Sequence, residues 1–299
     1  MTMDVSVVVL TKNAGEGFAP LLRCLFAQQF DGLYEVIIVD SGSSDDTLEI
    51  AQHFPVKTFK IELGEFHHGR TRNFGAQLSS GKTVAYVVQD ALPLSNHWLQ
   101  RLVDNFTAPN VAMVIGRQIP WPTVKPPERF FYVYNFPEHR ITITPGASDC
   151  HRDSKFISNV NSAVRRDVWQ QFQFSGNIIT AEDKEFAKRI LSAGWTIVYE
   201  PEAAVHHSHN LSLWTAFRKS LDYGIALRQG ASGLPRSHKS LIRRVFDYSR
   251  AEVRYLHATG CSRWLPYSLI YEMAKYSGLL LGKAAPVRGN REQRQTPGQ

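Results

Sequence analysis

The chain has 299 residues, of which 43% are hydrophobic and 11% aromatic, so it can form a substantial core and is not of the disordered class. Its three cysteines are too widely spaced for a disulfide framework or a zinc site, and no run of 18 uncharged apolar residues predicts a transmembrane helix. The net charge of +7 comes mainly from the last third of the chain, and the lack of a secretory signal predicts a cytoplasmic location.

The first part of the chain alternates strand and helix signals. Apolar runs typical of buried strands occur at Val5–Leu10, Glu35–Asp40, Val56–Ile61, Thr83–Val88 and Val111–Gly116. Helices are predicted between or after them at Phe18–Gln28, Asp45–His53, Arg72–Ser79 and His97–Phe106. Strands separated by helices predict an α/β fold with a mostly parallel central sheet that is flanked by helices.

The second part begins with a proline-rich loop at Pro120–Pro127. Further elements are predicted at Arg129–Asn135, Arg166–Gln171, Ile179–Ala193 and Trp195–Tyr199, and helices follow Leu211. Gly230–Pro235 is typical of a linker. We therefore predict a catalytic domain at residues 1–225, a basic and amphipathic helical region at 226–287 and a disordered tail at 288–299.

Polar side chains follow three of the predicted strands at the point where each strand ends. They are Thr11 and Asn13 after the first strand, Asp40, Ser41 and Ser43 after the second, and Gln89 and Asp90 after Thr83–Val88. Ligands bind beyond the carboxyl ends of strands in open α/β sheets, so these residues predict the rim of an active site. The alternative is that they form ordinary turns and helix caps.

Three further clusters carry groups that suit phosphate or proton chemistry. Arg72 offers planar donors for phosphate oxygens beside His68, Gly69 and Asn73, although an arginine here is also compatible with a solvated first helical turn. Glu182 and Asp183 open a predicted helix, where acids are also favoured by the helix dipole. His207 and His209 follow a strand, and their spacing places both imidazoles on one side of an extended segment.

Four segments in this order are similar to the inverting family 2 glycosyltransferases of the GT-A fold: VSVVVLTKN, VIIVDSGSSDDT, QDALP and AEDKEFAKR. The segment from Phe66 to Asn73, the QDALP stretch and His207-Ser208-His209 resemble the rhamnosyltransferases of bacteria within that family. Most of the family has two acids where this chain has Val88-Gln89-Asp90, so fewer protein ligands remain for a metal ion.

The resemblance implies roles for these residues. Thr11, Asn13, Asp40, Ser41 and Ser43 would surround the nucleoside, and Gln89, His68, Gly69, Arg72 and Asn73 would contribute to donor binding. Asp90 would bind Mg²⁺ or Mn²⁺ at the donor diphosphate, and His207 or His209 would complete that site. Asp183 would be the base that activates the acceptor hydroxyl, with Glu182 in support.

The resemblance thus implies transfer of L-rhamnose from dTDP-β-L-rhamnose to a saccharide or lipid-linked saccharide in bacterial surface polysaccharide biosynthesis. A UDP-hexose donor is the nearest alternative. The basic, aromatic-rich C-terminal region predicts peripheral contact with the inner face of the cytoplasmic membrane, while docking on the catalytic domain or a homodimer interface also fits. Binding of nucleic acid is disfavoured because acids outnumber bases in the first 60 residues. A catalytically silent scaffold is disfavoured because the candidate base and phosphate-binding residues are present.

Overall fold

A computed structural model describes residues 3–146, 154–231 and 241–285 of the chain. The strands are β1 (Val5–Thr11), β2 (Tyr34–Asp40), β3 (Lys57–Lys60), β4 (Thr83–Val88), β5 (Leu92–Pro93), β6 (Val111–Ile119), β7 (Ile141–Ile143), β8 (Asn161–Arg165) and β9 (Thr196–His206). The helices are α1 (Phe18–Phe26), α2 (Thr47–Gln52), α3 (His68–Leu78), α4 (Trp98–Val103), α5 (Pro126–Asn135), α6 (Arg166–Phe172), α7 (Glu182–Ser192), α8 (Leu213–Ala226), α9 (Leu241–Ala258) and α10 (Leu265–Ala284).

The strands form one mixed sheet in the order β3-β2-β1-β4-β8-β6-β9-β5, and β7 pairs with β9 outside this path. Strands β1 to β4, β6 and β9 all run in one direction, whereas β8, β5 and β7 run against them. The predicted α/β fold with a mostly parallel central sheet is therefore confirmed.

The strand register explains why the polar strand ends lie together. Thr11 is paired with Asp40 across β1 and β2, and Leu10 is paired with Val88 across β1 and β4. The short strand β5 then pairs Leu92 with His206 at the end of β9. This pairing brings the turn at Asp90 next to the segment that follows β9, which carries the later histidines.

Helices cover both faces of the sheet because successive strand residues point to opposite sides. On one face, Ile37 and Tyr86 belong to a core with Phe186 of α7. On the other face, Ile38 belongs to a core with Trp98 of α4. These side chains are essentially inaccessible to solvent, and each one contributes about 1.5–3 kcal/mol by leaving water.

Two helices that position the candidate site begin at other residues than the predicted segments do. Helix α3 begins at His68 rather than at Arg72, because the ring of His67 accepts hydrogen bonds from the backbone N–H groups of Gly69 and Arg70 and so caps the first turn. Helix α7 begins at Glu182, where the pair of acids predicts a helix start, rather than at Ile179, the first residue of the predicted segment, because Ala181 takes a left-handed conformation with φ of 64°.

Strand β9 continues to His206, well beyond the predicted end at Tyr199. Its pairing with β6 shifts between Gly116 and Gln118, so that residues 201–204 lie opposite Arg117 alone. Such an irregularity tolerates Pro201, which has no N–H to give to a ladder. The strand thereby delivers His207 to the carboxyl edge of the sheet.

The C-terminal helices pack against each other and against the catalytic domain. Helices α8 and α10 approach closely at Gly282, where an added Cβ would lie 2.2 Å from the carbonyl oxygen of Leu221. Helix α9 packs on α5, with the rings of Tyr248 and Phe130 5.1 Å apart. Most of the predicted linker and the whole predicted disordered tail lie outside the described residues. Of the helices described, none has the length and apolar character needed to cross a bilayer.

Candidate active site

The ends of β1 and β2 form a tightly hydrogen-bonded pair of loops. Asp40 is fully buried, and its carboxylate accepts hydrogen bonds from the hydroxyls of Thr11 at 3.0 Å and Ser43 at 2.5 Å and from the N–H groups of Gly42 and Ser43. The hydroxyl of Ser41 donates to the carbonyl oxygen of Thr11. Asp40 thus fixes the shape of this rim, and its predicted contact with a nucleoside stays a prediction.

Asn13 lies in the loop after β1 and has a left-handed conformation with φ of 46°. Its side-chain oxygen accepts from the N–H of Ser44, and its own N–H donates to the hydroxyl of Ser43 at 2.8 Å. Asparagine tolerates this conformation better than most residues do. The five residues predicted to surround a nucleoside are therefore brought together by one network.

Gln89 joins the ends of β4 and β1. Its amide oxygen accepts from the N–H of Lys12 at 2.7 Å, and its amide nitrogen donates to the carbonyl oxygen of Lys12 at 3.0 Å. A carboxylate cannot make both bonds, because it only accepts. Gln89, the middle residue of the motif, thus holds the two strand ends together, whereas the position of the missing first acid is occupied by Val88.

Asp90, His207 and His209 could hold a metal ion, because one ligand atom of each lies within 4.8 Å of the others. Within the described residues, this is the one group of three or more His, Cys, Asp or Glu side chains with that geometry. The Asp90 carboxylate lies 3.7 Å from Nε2 of His207 and 3.7 Å from Nδ1 of His209. Burial lowers the pKa of His207 to about 4 and also lowers the pKa of His209, so both rings are neutral at pH 7 and offer lone pairs.

The orientation of His207 is set from β6. Its Nδ1 lies 2.9 Å from Oε1 of Gln118, which is buried, so Nδ1 carries the proton and Nε2 faces Asp90. This is the arrangement by which proteins commonly hold a metal-binding imidazole. One carboxylate oxygen and two imidazole nitrogens suit Mn²⁺ better than Mg²⁺, which prefers oxygen ligands and water.

The segment before and within α3 fastens this helix to the loop in front of α7. The amide of Asn73 donates to the carbonyl oxygen of Phe174 and accepts from the N–H of Phe174 and the indole of Trp169. A Cβ at Gly69 would lie 2.2 Å from the carbonyl oxygen of Ser175. Both residues thus have contacts within the chain that require them, and their roles in donor binding stay predictions.

Arg72 forms a buried ion pair with Glu182 across α3 and α7. The guanidinium and carboxylate lie 2.5 Å apart, and their side chains are only 8% and 5% exposed. Because a buried charge is unstable without its partner, this pair stabilises the position of the α7 N-terminus. The guanidinium of Arg72, which the sequence predicts as a hydrogen-bond donor to phosphate, is therefore already paired with Glu182.

Asp183 follows in the first turn of α7. One carboxylate oxygen accepts from the N–H of Asn159 at 3.2 Å and the other from the N–H of Lys184 at 2.7 Å. Burial, and then the charge of Glu182, raise the pKa of Asp183 to about 6. Burial also lowers the pKa of the neighbouring His68 to about 4, assisted by the charge of Arg72. Asp183 is thus a carboxylate with a pKa suited to general base catalysis near neutral pH.

The sequence did not single out several residues that build this site. They are His67, which caps α3, Gln118, which orients His207, Asn159, which positions Asp183, and Lys219, whose charge lowers the pKa values of His68, His207 and His209. Gln118 lies just beyond the predicted strand Val111–Gly116 and is buried in the actual strand. A polar residue that extends a buried strand was the one signal available for it.

Comparison with known proteins identifies relatives across nearly the whole chain. The family model of glycosyl transferase family 2 matches residues 6–171. The O-antigen chain rhamnosyltransferase RfbN of Salmonella typhimurium is 29% identical, covering 94% of this chain and 90% of that protein. The O-antigen chain rhamnosyltransferase WbaN of Salmonella anatum is 30% identical, covering 93% of this chain and 89% of that protein.

Solved structures share the fold at lower identity. The mannosyltransferase PcManGT from Pyrobaculum calidifontis, in complex with GDP-Man and Mn²⁺, has a TM-score of 0.60 at 17% identity, covering 95% of this chain and 87% of that chain. S. aureus TarS 1-349 in complex with UDP-GlcNAc has a TM-score of 0.54 at 16% identity, covering 94% of this chain and 91% of that chain. These likenesses confirm the predicted GT-A fold.

Proposed function

Because the chain belongs to glycosyl transferase family 2, we propose that it is an inverting enzyme that transfers L-rhamnose from dTDP-β-L-rhamnose to a saccharide or lipid-linked saccharide. The observation that carries this proposal is the relationship, over more than nine tenths of the chain, to two proteins named O-antigen chain rhamnosyltransferases. The product would be α-linked, since inversion reverses the β configuration of the donor, and the acceptor would be a growing surface polysaccharide or its precursor.

In the proposed reaction Asp183 is the general base. Its carboxylate takes the proton of the acceptor hydroxyl while the acceptor oxygen forms a bond to the anomeric carbon of rhamnose. The bond between that carbon and the diphosphate oxygen breaks, and its electron pair leaves with the diphosphate. The pKa of about 6 supports this role, because the carboxylate is ionised at pH 7 and still basic enough to accept a proton.

Asp90, His207 and His209 would hold a divalent cation, for which Mn²⁺ is the better fit. Such an ion offsets the charge that develops on the leaving diphosphate. The neutral state of both imidazoles and the hydrogen bond from His207 to Gln118 support this assignment. Thr11, Asn13, Asp40, Ser41, Ser43 and Gln89 would shape the pocket for the nucleoside through the network at the ends of β1, β2 and β4.

A donor screen by thermal denaturation tests the proposal. With Mn²⁺ present, dTDP-β-L-rhamnose should raise the melting temperature more than UDP-glucose or GDP-mannose does, since a ligand at a hundred times its Kd stabilises the folded state by about 2.7 kcal/mol. Chelation of the metal should remove most of this stabilisation. A larger shift with UDP-glucose would overturn the rhamnosyl assignment and support a UDP-hexose donor.

A lipid-linked acceptor would be met at the cytoplasmic face of the membrane, and the exposed side of α9 and α10 supports contact there. These two helices expose the large apolar residues Phe246, Val253, Leu269, Ile270, Met273, Leu280 and Leu281 and the cations Arg244, Arg250, Arg254 and Lys283. Both glutamates of these helices, Glu252 and Glu272, are buried, so Asp247 is the one acid of α9 and α10 that is not buried. Basic and apolar groups together favour anionic lipid surfaces.

Flotation with liposomes tests this contact. The protein should float with vesicles that contain anionic lipid and stay behind with neutral vesicles, and the double variant Leu269→Gln, Met273→Gln should lose binding. Equal behaviour of the variant and the wild type would overturn the membrane assignment. Concentration-dependent dimerisation that the same variant abolishes would assign the surface to a second copy of the chain instead.

A further inference from the structure

Lys219, an exposed cation on α8, lies outside the region matched by the family model. Arg72, the arginine that the sequence pattern offers for phosphate binding, is buried in its ion pair with Glu182. Lys219 is exposed and makes no ion pair in the part of the chain that the structure describes. The ammonium group of Lys219 is thus available to bind an anionic ligand, whereas the guanidinium of Arg72 is already paired.

The position of α8 places Lys219 between the metal-site segment, which carries His207 and His209, and the first turn of α7. The helix starts directly after the metal-site segment, and the hydroxyl of Ser212 caps it by accepting from the N–H of Thr215. Further along, Tyr223 contacts Lys184 of α7, with its hydroxyl 3.4 Å from the ammonium nitrogen. Lys219 lies about 10 Å along the helix from Ser212, at the helical rise of 1.5 Å per residue.

The side of α8 that carries Lys219 faces the first turn of α7. Tyr223 and Ala226 pack against Ala181 and Ile178, immediately before Glu182. Lys219 is four residues before Tyr223 and therefore lies on the same face, one turn nearer to the metal-site segment. Burial is the main cause of the lowered pKa values of His68, His207 and His209, and the charge of Lys219 adds to it, so the ammonium group lies within electrostatic reach of all three rings.

We propose that Lys219 binds the diphosphate of the nucleotide donor, in the space between Asp90, His207 and His209 on one side and Asp183 on the other. This inference rests on the proposed glycosyl transfer and adds a phosphate-binding residue to it. A lysine ammonium on a flexible stem can follow the phosphate as the glycosidic bond breaks and can stabilise the charge of the leaving group. The C-terminal helices would then complete the catalytic site.

The test compares Lys219→Gln with Lys219→Arg and with Arg218→Gln, which removes a neighbouring exposed cation from another side of α8. Calorimetry with dTDP, UDP and GDP in the presence of Mn²⁺ should show that Lys219→Gln weakens whichever diphosphate the wild type binds, by about ten- to a hundredfold. Lys219→Arg should retain most of the affinity, and Arg218→Gln should bind as the wild type does.

Two further readouts separate a phosphate contact from structural damage. Thymidine or the matching nucleoside, which lacks phosphate, should bind Lys219→Gln and the wild type equally. Mn²⁺ alone should bind the variant at least as well, because a like charge near the imidazoles has been removed.

Diphosphate affinity of Lys219→Gln within twofold of the wild type, or an equal loss in Arg218→Gln, would overturn the inference. A wild type that prefers UDP or GDP but still depends on Lys219 would support the inference while rejecting dTDP-rhamnose as donor.

Discussion

Asp183 and His68 show how burial shifts the pKa values of neighbouring acidic and basic groups in opposite directions. Burial penalises a charge of either sign, so it raises the pKa of the carboxyl group to about 6 and lowers that of the imidazole to about 4. At neutral pH, above both pKa values, the carboxylate is therefore ionised and the ring beside it is uncharged. The ring therefore does not compete for the proton that Asp183 must accept.

The pKa of Asp183 predicts the pH dependence of turnover. The base is active when ionised, so kcat/KM should fall as the pH drops through about 6, about two pH units above the limb of an ordinary aspartate. A pH profile of rhamnosyl transfer between pH 4.5 and 8 measures this limb. Asp183→Asn should lose at least about a hundredfold in kcat with an unchanged melting temperature. Full activity of this variant would show that another group is the base.

For individual residues, the sequence predicted which strand-end side chains lie close together but not which groups they form hydrogen bonds with. Strand ends of one sheet share an edge, so Thr11, Asp40 and Asp90 could be placed together from the strand pattern. The pattern could not reveal that Asp40 accepts from the N–H of Ser43 and that Gln89 forms hydrogen bonds with the backbone of Lys12. Such contacts depend on loop geometry, which side-chain type and spacing do not fix.

The junction of α3 and α7 depends on one buried ion pair, formed by Arg72 and Glu182. Asn73 adds hydrogen bonds to the loop that precedes α7. The segment that resembles a ligand-binding motif therefore also connects the elements that carry His68 and Asp183. Its helix could be predicted from sequence, but its first residue could not, because a histidine cap at His67 is an unusual start signal.

Breaking this pair from one side should destabilise the protein more than removing both partners. Arg72→Met leaves Glu182 buried without its partner and should lower the free energy of unfolding by about 3–5 kcal/mol. The double variant Arg72→Met, Glu182→Met should recover most of that loss, because neither member of the pair then leaves an unpaired buried charge. Urea denaturation measures both values. If the double variant were as unstable as the single one, the pair would not be the dominant contact at this junction.

The whole molecule joins a catalytic sheet to a C-terminal helical layer through polar contacts. The carboxylate of Glu128 on α5 accepts from the hydroxyl of Tyr271 on α10 and from the N–H of Leu211, two residues after His209. The ammonium of Lys125 reaches the hydroxyl of Tyr267 and the carbonyl oxygen of Leu211. The sequence predicted basic amphipathic helices here, but their attachment beside the metal-site segment requires contacts between residues far apart in the chain.

Within this layer Glu252 makes the stability of the molecule depend on pH. The residue is 2% exposed, and burial raises its pKa to about 7, with Glu272 adding to the effect, Lys275 opposing it and Ser268 donating a hydrogen bond. The folded state therefore binds more protons than the unfolded state, so stability should decrease as the pH rises from about 4.5 to about 7.

Glu252→Gln removes the charge that the folded state must otherwise bury above pH 7. The variant should be more stable than the wild type at pH 8 by about 1–3 kcal/mol, whereas the difference should be small at pH 5, where the wild-type carboxyl group is protonated in the fold. Thermal denaturation of both proteins across this range, with the exposed-site variant Ser277→Gln as a control, measures the effect. An equal difference between Glu252→Gln and the wild type at both pH values would mean that shape rather than charge at this position governs how the helical layer docks on the sheet.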